Sequence, residues 1–245
     1  MVTEWDADRI EREVRRRAAV ERAPLSARHF VMVCHDVFDA AGVGVQLIAD
    51  DGALEPVHAT TDVVERVIEL ETTLGEGPAH LAVAGGRAVA VDDFRQQRAR
   101  WPLFSDAAEF ARVRAALAFP MWLGSGTIGA VEVYSPEPRL PTTAELDLGG
   151  VFTELLTDQI VTRLDEVGAD APEEFGIERF HIRWQVVYQA TAIASIHLRC
   201  GLPEASLRLR AHAFASGRRL CEVAEDVVTG VVRLAPDDPF GLEAP

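Results

Sequence analysis

The sequence predicts an α+β protein in which an antiparallel sheet with covering helices is followed by an all-α segment of three helices. Two patterns lead to this prediction. Between residues 43 and 134, short segments alternate apolar residues with small or polar ones and are interrupted by glycine-containing turns, as in paired strands. Between residues 177 and 234, apolar residues instead recur every three or four positions, as on the buried face of a helix.

The N-terminal part alternates helical and extended segments. Residues 6–22 predict a charged helix, and 43–47 with 54–59 predict a β-hairpin around Asp50, Asp51 and Gly52. Further helices are predicted at 62–71, 77–84 and 105–113. Further strands are predicted at 88–91, 115–123 and 128–134, the last two joined by Gly124-Ser125-Gly126. A long helix follows from Thr142 to about Val167, and strands separated by helices favour a covered antiparallel sheet.

The C-terminal segment predicts three helices with sharp ends, at about 179–200, 204–216 and 220–231. Gly201 is expected to stop the first helix, while Pro203 and Gly217 suit the start and the end of the second. The positions predicted to be buried are mostly small or aliphatic: Val187, Ala190, Ala194, Leu198, Ala205, Leu209, Ala213, Leu220, Val223, Ala224, Val227, Val228 and Val231, with Leu207 and Phe214 alongside. Small residues on these faces allow the helices to approach closely.

Composition excludes several classes of protein. A chain of 245 residues with 48% hydrophobic content can form one large or two modest packed domains. No apolar run reaches the length of a membrane span, and the N-terminus lacks a signal-peptide layout, so a cytoplasmic location is predicted. Cys34, Cys200 and Cys221 share no metal-ligand spacing and predict reduced thiols.

No arrangement typical of catalysis is evident, so we predict no enzyme activity, no metal site and no cofactor. The histidines are scattered, and the chain has no lysine, which phosphate-binding loops require. Asp92, Trp101 and Phe104 are the candidates for contacting a small molecule. The alternative interpretation is a strand-end turn for Asp92 and ordinary core packing for the two aromatic residues.

Charge is distributed unevenly along the chain. The formal net charge is −15, whereas residues 199–219 contain five arginines and one acid, Glu204, and hence carry +4. Neutralising phosphates requires clustered cations, so this run favours one restricted nucleic-acid-binding patch. A solvated, arginine-rich helix face is the alternative interpretation.

Four motifs carry a resemblance in the C-terminal segment: VYQATA from Val187, GLPEA from Gly201, LRAHA from Leu209 and LCEVAEDVV from Leu220. Over about residues 175–234 they resemble the ANTAR domain, an RNA-binding module of bacterial transcription antiterminators. The resemblance implies contact with RNA hairpin loops and points first to Gln189, Thr191 and Arg210. The charge pattern adds Arg199, Arg208, Arg218 and Arg219. Ala192 stands where this family usually has glycine.

Four further motifs lie in the N-terminal part: LGEGP from Leu74, GRAVAVDD from Gly86, RWPLF from Arg100 and GAVEVY from Gly129. In this order they resemble a GAF domain, of the type found in front of ANTAR domains, over about residues 28–164. The resemblance implies a sensor domain with a small-molecule ligand. A cysteine often follows the Gly-Glu-Gly-Pro turn in such domains, and Ala79 occupies that position here, which removes a redox or covalent-attachment role there.

These patterns predict a GAF-like sensor domain with flanking helices at 1–167, an acidic linker at 168–174, an ANTAR-like RNA-binding domain at 175–235 and a tail at 236–245. The predicted function is a signal-responsive transcription antitermination regulator. The alternative is a ligand-sensing or protein-interaction regulator whose ANTAR-like domain no longer binds RNA.

Two statements about partners follow from the helices. The broad apolar stripe of the helix after Thr142 predicts a homodimer, in which this helix and the 6–22 helix form a four-helix bundle; docking of both helices on one sheet is the alternative. In the predicted 204–216 helix, alanine and leucine stand where base-reading polar residues would be expected, which argues against duplex DNA as a target.

Overall fold

The protein contains a five-stranded antiparallel sheet with flanking helices and a C-terminal group of three helices. The structure is a computed structural model, and it describes residues 4–49, 52–110, 112–167 and 178–235. The strands are β1 (Gly42–Ile48), β2 (Leu54–Ala59), β3 (Val89–Val91), β4 (Ala115–Leu123) and β5 (Gly126–Ser135), in the order β2-β1-β5-β4-β3. The predicted linker at 168–174 and tail at 236–245 lie outside the described residues, as do Asp50 and Asp51.

Nine helices longer than one turn lie within the described ranges. They are α1 (Ala7–Glu21), α2 (Ala27–Phe38), α3 (Asp62–Leu74), α4 (Pro78–Gly85), α5 (Pro102–Phe110), α6 (Thr143–Val167), α7 (Glu178–Leu198), α8 (Leu202–Ala215) and α9 (Leu220–Thr229). A single 3₁₀ turn, Phe94–Gln96, connects β3 to α5. Among the described residues, no helix has the length and apolar character needed to cross a membrane.

Successive strand residues point to opposite faces of the sheet, and helices cover both faces. In β5, Val131 and Val133 pack with α2 and α6, whereas Tyr134 packs with α3. The helices α2 and α6 lie directly on the sheet, and α1 packs outside them with Ile10 and Val14 fully buried. Homodimer formation stays a prediction.

Helix α3 lies close to β1 because two glycines face it. A Cβ atom on Gly42 would come within 2.5 Å of Val64 Cγ2, and one on Gly44 within 2.8 Å of Ile68 Cγ2. Both distances are shorter than any normal contact, so the alternation of glycine with valine in β1 leaves room for the helix. This close approach brings the far end of α3 over the polar residue Gln46.

The three C-terminal helices, hereafter the helical tail, pack on one another through small residues. Ala190 and Ala194 of α7, Ala205 of α8 and Ala224 of α9 have no solvent exposure. This confirms the predicted buried positions in the middle of each helix. The tail shares one continuous apolar cluster with α3, in which Val64 and Val67 lie together with Leu209 and Leu220.

Several predicted helix boundaries were wrong at their ends. Helix α9 ends at Thr229 because Gly230 adopts a left-handed conformation, so Val231 is 69% exposed instead of buried. Val228, Leu207 and Phe214 are exposed as well. Helix α7 ends at Leu198, two residues before the predicted end, and Arg199 takes the left-handed conformation there.

Two helices in the sensor part also differ from the prediction. Helix α5 begins at Pro102, three residues earlier than predicted, because proline suits the first helical turn. Helix α2 was not predicted. Seven of its twelve residues are buried, and Ala27, Phe30, Val31, Cys34 and Phe38 recur at helical spacing, so the sequence did carry an apolar stripe for this helix.

Adjacent glycines in α6 provide a test of this packing. A Cβ atom on Gly149 would lie 2.1 Å from Cζ of Phe119, whereas one on Gly150 would meet nothing within 4 Å. Gly149→Ala should therefore lower the free energy of unfolding by about 1–3 kcal/mol, because it overpacks the contact with β4. Gly150→Ala should raise it by up to about 1 kcal/mol through higher helix propensity.

Thermal and urea unfolding of the two variants and the parent would measure both changes. The substitutions are chemically identical and one residue apart, so each serves as the control for the other. Equal changes in both variants would contradict the proposed contact between α6 and β4.

Candidate functional site

Three buried polar side chains meet between the sheet and α3, in a group hereafter called the carboxyl core. Gln46 of β1, Glu71 of α3 and Glu132 of β5 each have no solvent exposure. The Gln46 amide nitrogen donates to Glu71 Oε2 and to Glu132 Oε2, both at 3.0 Å. A single amide therefore connects two buried carboxyl groups that belong to different elements.

Burial changes the acidity of both carboxyl groups. Desolvation raises the pKa of Glu71 to about 7, although hydrogen bonds to its carboxylate lower it in part. Desolvation and the neighbouring Glu71 raise the pKa of Glu132 well above its ordinary value. Two buried like charges oppose each other, so the pair holds at least one proton at pH values where an exposed carboxyl group would be ionised.

Glu71 also shapes the turn that follows α3. Its Oε1 atom accepts a hydrogen bond from the Ala79 backbone nitrogen at 2.8 Å. Gly77 has φ of 148°, and a Cβ atom there would lie 2.2 Å from Glu71 Oε1. Glycine is therefore required for this turn to close over the carboxyl group. The Leu74–Pro78 motif therefore forms a turn that encloses the Glu71 carboxyl group.

The opposite side of α3 contacts the helical tail through Glu69. The Glu69 carboxylate, on a side chain that is 5% exposed, accepts hydrogen bonds from Arg219 Nε at 2.8 Å and from Arg219 Nη2. It also accepts one from the Cys221 backbone nitrogen at 3.2 Å. Arg219 lies 3.5 Å from Glu65 in addition. One carboxylate thus binds two positions of the tail.

A second contact joins the tail to the carboxyl core. Arg210 of α8 donates to the Thr72 backbone oxygen at 3.0 Å. The Thr72 hydroxyl in turn donates to the Gln46 side-chain oxygen at 3.1 Å. Since Gln46 holds Glu71 and Glu132, a continuous path of hydrogen-bonding groups runs from the buried carboxyls to an arginine of the tail.

Comparison with known proteins identifies the sheet and its helices. A family model described as GAF domain matches residues 31–160, more than half of the chain. The chain belongs to the GAF domain family. A GAF domain indicates a role in signal sensing. A search of curated proteins gave no significant match.

Three solved structures illustrate the extent of the similarity. A domain from a Sinorhizobium meliloti protein named as a two-component sensor histidine kinase has 14% identity and a TM-score of 0.48, covering 59% of this chain and 95% of its own. The GAF domain of an Acinetobacter phosphoenolpyruvate-protein phosphotransferase has 13% identity and a TM-score of 0.46, covering 64% and 95%. The GAF domain of the cyanobacteriochrome TePixJ has 20% identity and a TM-score of 0.45, covering 56% and 88%.

The residues predicted to contact a ligand lie in the interior of the GAF domain or beside it. Trp101 and Phe104 are buried, with ring centroids 6.4 Å apart in an edge-on arrangement. Asp92 accepts a hydrogen bond from the Asp93 backbone nitrogen at 2.9 Å. These positions agree with the alternative of core packing and a strand-end turn, and ligand contact by the three residues stays a prediction.

The residues predicted to contact RNA are not gathered into one patch. Gln189 and Arg199 are exposed, and the Thr191 hydroxyl donates to the Val187 backbone oxygen at 2.8 Å. Arg208 lies 3.7 Å from Glu204, and Arg218 lies 2.7 Å from Asp226. Arg210 and Arg219 face the GAF domain. Acids outside the run therefore compensate two of its arginines, Arg218 and Arg219.

The carboxyl core was not predicted from sequence, although one signal was present. Glu132 is a charged residue within the apolar strand sequence GAVEVY, at a position that alternation places on a buried face. A charged residue at such a position requires a partner. Glu71, with which it shares the Gln46 amide, lies far away along the chain. It belongs to helix α3, whose end was predicted three residues too early.

The carboxyl core should make stability depend on pH. Because the pKa of Glu71 is about 7 in the folded chain and about 4.5 when unperturbed, the folded state holds a proton that the unfolded state releases between these values. The free energy of unfolding should therefore fall as pH rises, by roughly 3 kcal/mol from this group between pH 4.5 and 7. Glu132→Gln removes the second buried acid and should reduce the total loss.

Chemical denaturation of the parent and of Glu132→Gln at several values between pH 5 and 8 would measure this effect. Glu11→Gln, a substitution of a half-exposed acid on α1, serves as the control and should keep the pH dependence of the parent. A Glu132→Gln variant with the pH dependence of the parent would contradict the contribution of Glu132 to this effect.

Proposed function

We propose that this chain is a signal-responsive regulator in which the GAF domain controls the access of RNA hairpin loops to the helical tail. The family supports the sensing role. The resemblance of the tail to the ANTAR domain supports RNA as its target and transcription antitermination as the process. The observation that carries the proposal is the position of α3, which contacts the buried carboxyls on one side and two tail arginines on the other.

The contacts with α3 suggest how the sensor would control the tail. Arginine neutralises phosphate and stacks on unpaired bases, which is how proteins commonly recognise RNA loops. Arg210 and Arg219 are occupied by Thr72 and Glu69 in this arrangement. The docked tail is therefore the form with low RNA affinity, and movement of α3 would release both arginines.

Arg199 has a different role in this proposal. It is exposed and adopts a left-handed conformation between α7 and α8, and it makes no ion pair with any residue that the structure describes. It can reach phosphate without movement of the tail. Initial contact with RNA therefore uses Arg199, and tight binding requires the two released arginines.

An alternative function is supported by the same contacts. If Arg210 and Arg219 serve only to fix the tail on the GAF domain, the chain is a ligand-sensing or protein-interaction regulator without RNA binding. Ala192, in place of the glycine usual in ANTAR domains, favours this alternative. RNA titration decides between the two functions.

Fluorescence anisotropy with RNA hairpins that carry six-nucleotide loops provides the test. Glu69→Gln removes the charge that holds Arg219 and should raise the affinity of the full chain by about tenfold, since about 1.4 kcal/mol of docking energy is lost. Arg199→Ala should lower the affinity and reduce its salt dependence, because one phosphate contact disappears.

Glu11→Gln and Arg87→Ala are the matched controls, since each changes one charge on a surface away from the tail. Both should bind as the parent does. If neither the parent nor Glu69→Gln binds any hairpin, the RNA proposal is rejected and the alternative function is retained.

A further inference from the structure

A groove of about 550 Å³ lies between the GAF domain and the helical tail. Helix α3 forms one wall, the start of α5 contributes Leu103, and the end of α8 with the start of α9 forms the other wall. This volume is in the range of small-molecule sites in proteins. The groove is separate from the carboxyl core, whose three side chains fill the space between α3 and the sheet.

The lining of the groove is mainly apolar, and several of its large side chains remain exposed. Leu103 is 48% exposed, Phe214 47% and Val63 41%. The half-buried side chains of Leu70 and Leu74 continue the apolar surface along α3. A cluster of exposed apolar side chains in a concave surface is typical of a binding site, because covering it removes apolar area from water.

Positive charge surrounds this apolar surface. Of its four arginines, Arg218 pairs with Asp226, and Arg219 pairs with Glu69. Arg66 and Arg112 are exposed and make no ion pair with a described residue. In a chain with a net charge of −15, two unpaired guanidinium groups at one groove favour an anion there.

A second groove shows that a high arginine content alone does not leave guanidinium groups unpaired. The groove of about 740 Å³ between α1 and α2 contains four arginines. Three of them are paired with acids of the same region: Arg9 with Glu4, Arg16 with Glu13, and Arg17 with Glu13 and Asp36. The groove at the tail differs because two of its cations are uncompensated beside exposed apolar side chains.

We propose that the groove between α3 and the tail binds an amphipathic monoanion, a small molecule with an apolar body and one carboxylate or similar head group. The body lies on Leu70, Leu74 and Phe214, and the head group lies at Arg66 and Arg112. Because both the GAF domain and the tail line the groove, the bound molecule stabilises the docked arrangement by mass action. Binding of such an anion does not require that the tail binds RNA.

Isothermal titration calorimetry of the full chain with decanoate, below its micelle concentration, tests the proposal. Decyltrimethylammonium tests the sign of the head group, and acetate tests the need for an apolar body. Decanoate should bind, and the other two should not. The double variant R66Q/R112Q should bind decanoate about tenfold more weakly, since two charge contacts at an exposed rim are lost.

The double variant R22Q/R87Q is the matched control, because it removes the same charge from exposed arginines outside the groove and should bind decanoate as the parent does. Melting curves of both variants confirm that they are folded. Absence of decanoate binding to the parent, equal binding to R66Q/R112Q, or equal binding of decyltrimethylammonium would each overturn the proposal. None of these results depends on RNA.

Discussion

The arrangement of this molecule depends on one helix that is buried from two sides. Helix α3 packs against β1 through Val64 and Ile68, where glycines replace the side chains that would otherwise hold it away. Its Glu71 enters the carboxyl core, and its Glu69 accepts hydrogen bonds from Arg219 and the Cys221 backbone. Buried carboxyls are costly unless hydrogen-bonded, so both faces of α3 are fixed by specific partners. A shift of α3 would disturb the sensor core and the tail contact together.

This constraint changes the meaning of the arginine-rich run. A count of charges along the sequence gives +4 for residues 199–219, but the acids that pair with Arg218 and Arg219 lie outside this run. Glu65 and Glu69 approach Arg219 across the interface, and Asp226 approaches Arg218 from the next helix. The tail is therefore held by the same type of interaction that would attract phosphate. In the proposed function, competition between carboxylate and phosphate for arginine would give the sensor a physical means of control.

Local patterns predicted the sheet well and the site poorly. The β1–β2 hairpin, the β4–β5 pair and the central buried positions of the tail follow from periodicity within short segments, which is a local property. Helix α2 was missed although Phe30, Cys34 and Phe38 recur at helical spacing along it. Gln46, Glu71 and Glu132 are far apart in sequence and meet only through sheet pairing and the position of α3. The odd placement of Glu132 in an apolar strand was the one visible signal.

A double-mutant cycle between Glu69 and Arg219 tests whether α3 fixes the tail through this pair. The free energy of unfolding would be measured for the parent, Glu69→Gln, Arg219→Gln and the double variant. If the pair fixes the tail, the coupling energy should be about 1–3 kcal/mol, as for partly buried partners in direct contact. Additive changes, with a coupling energy near zero, would contradict it, because the two side chains would then contribute independently.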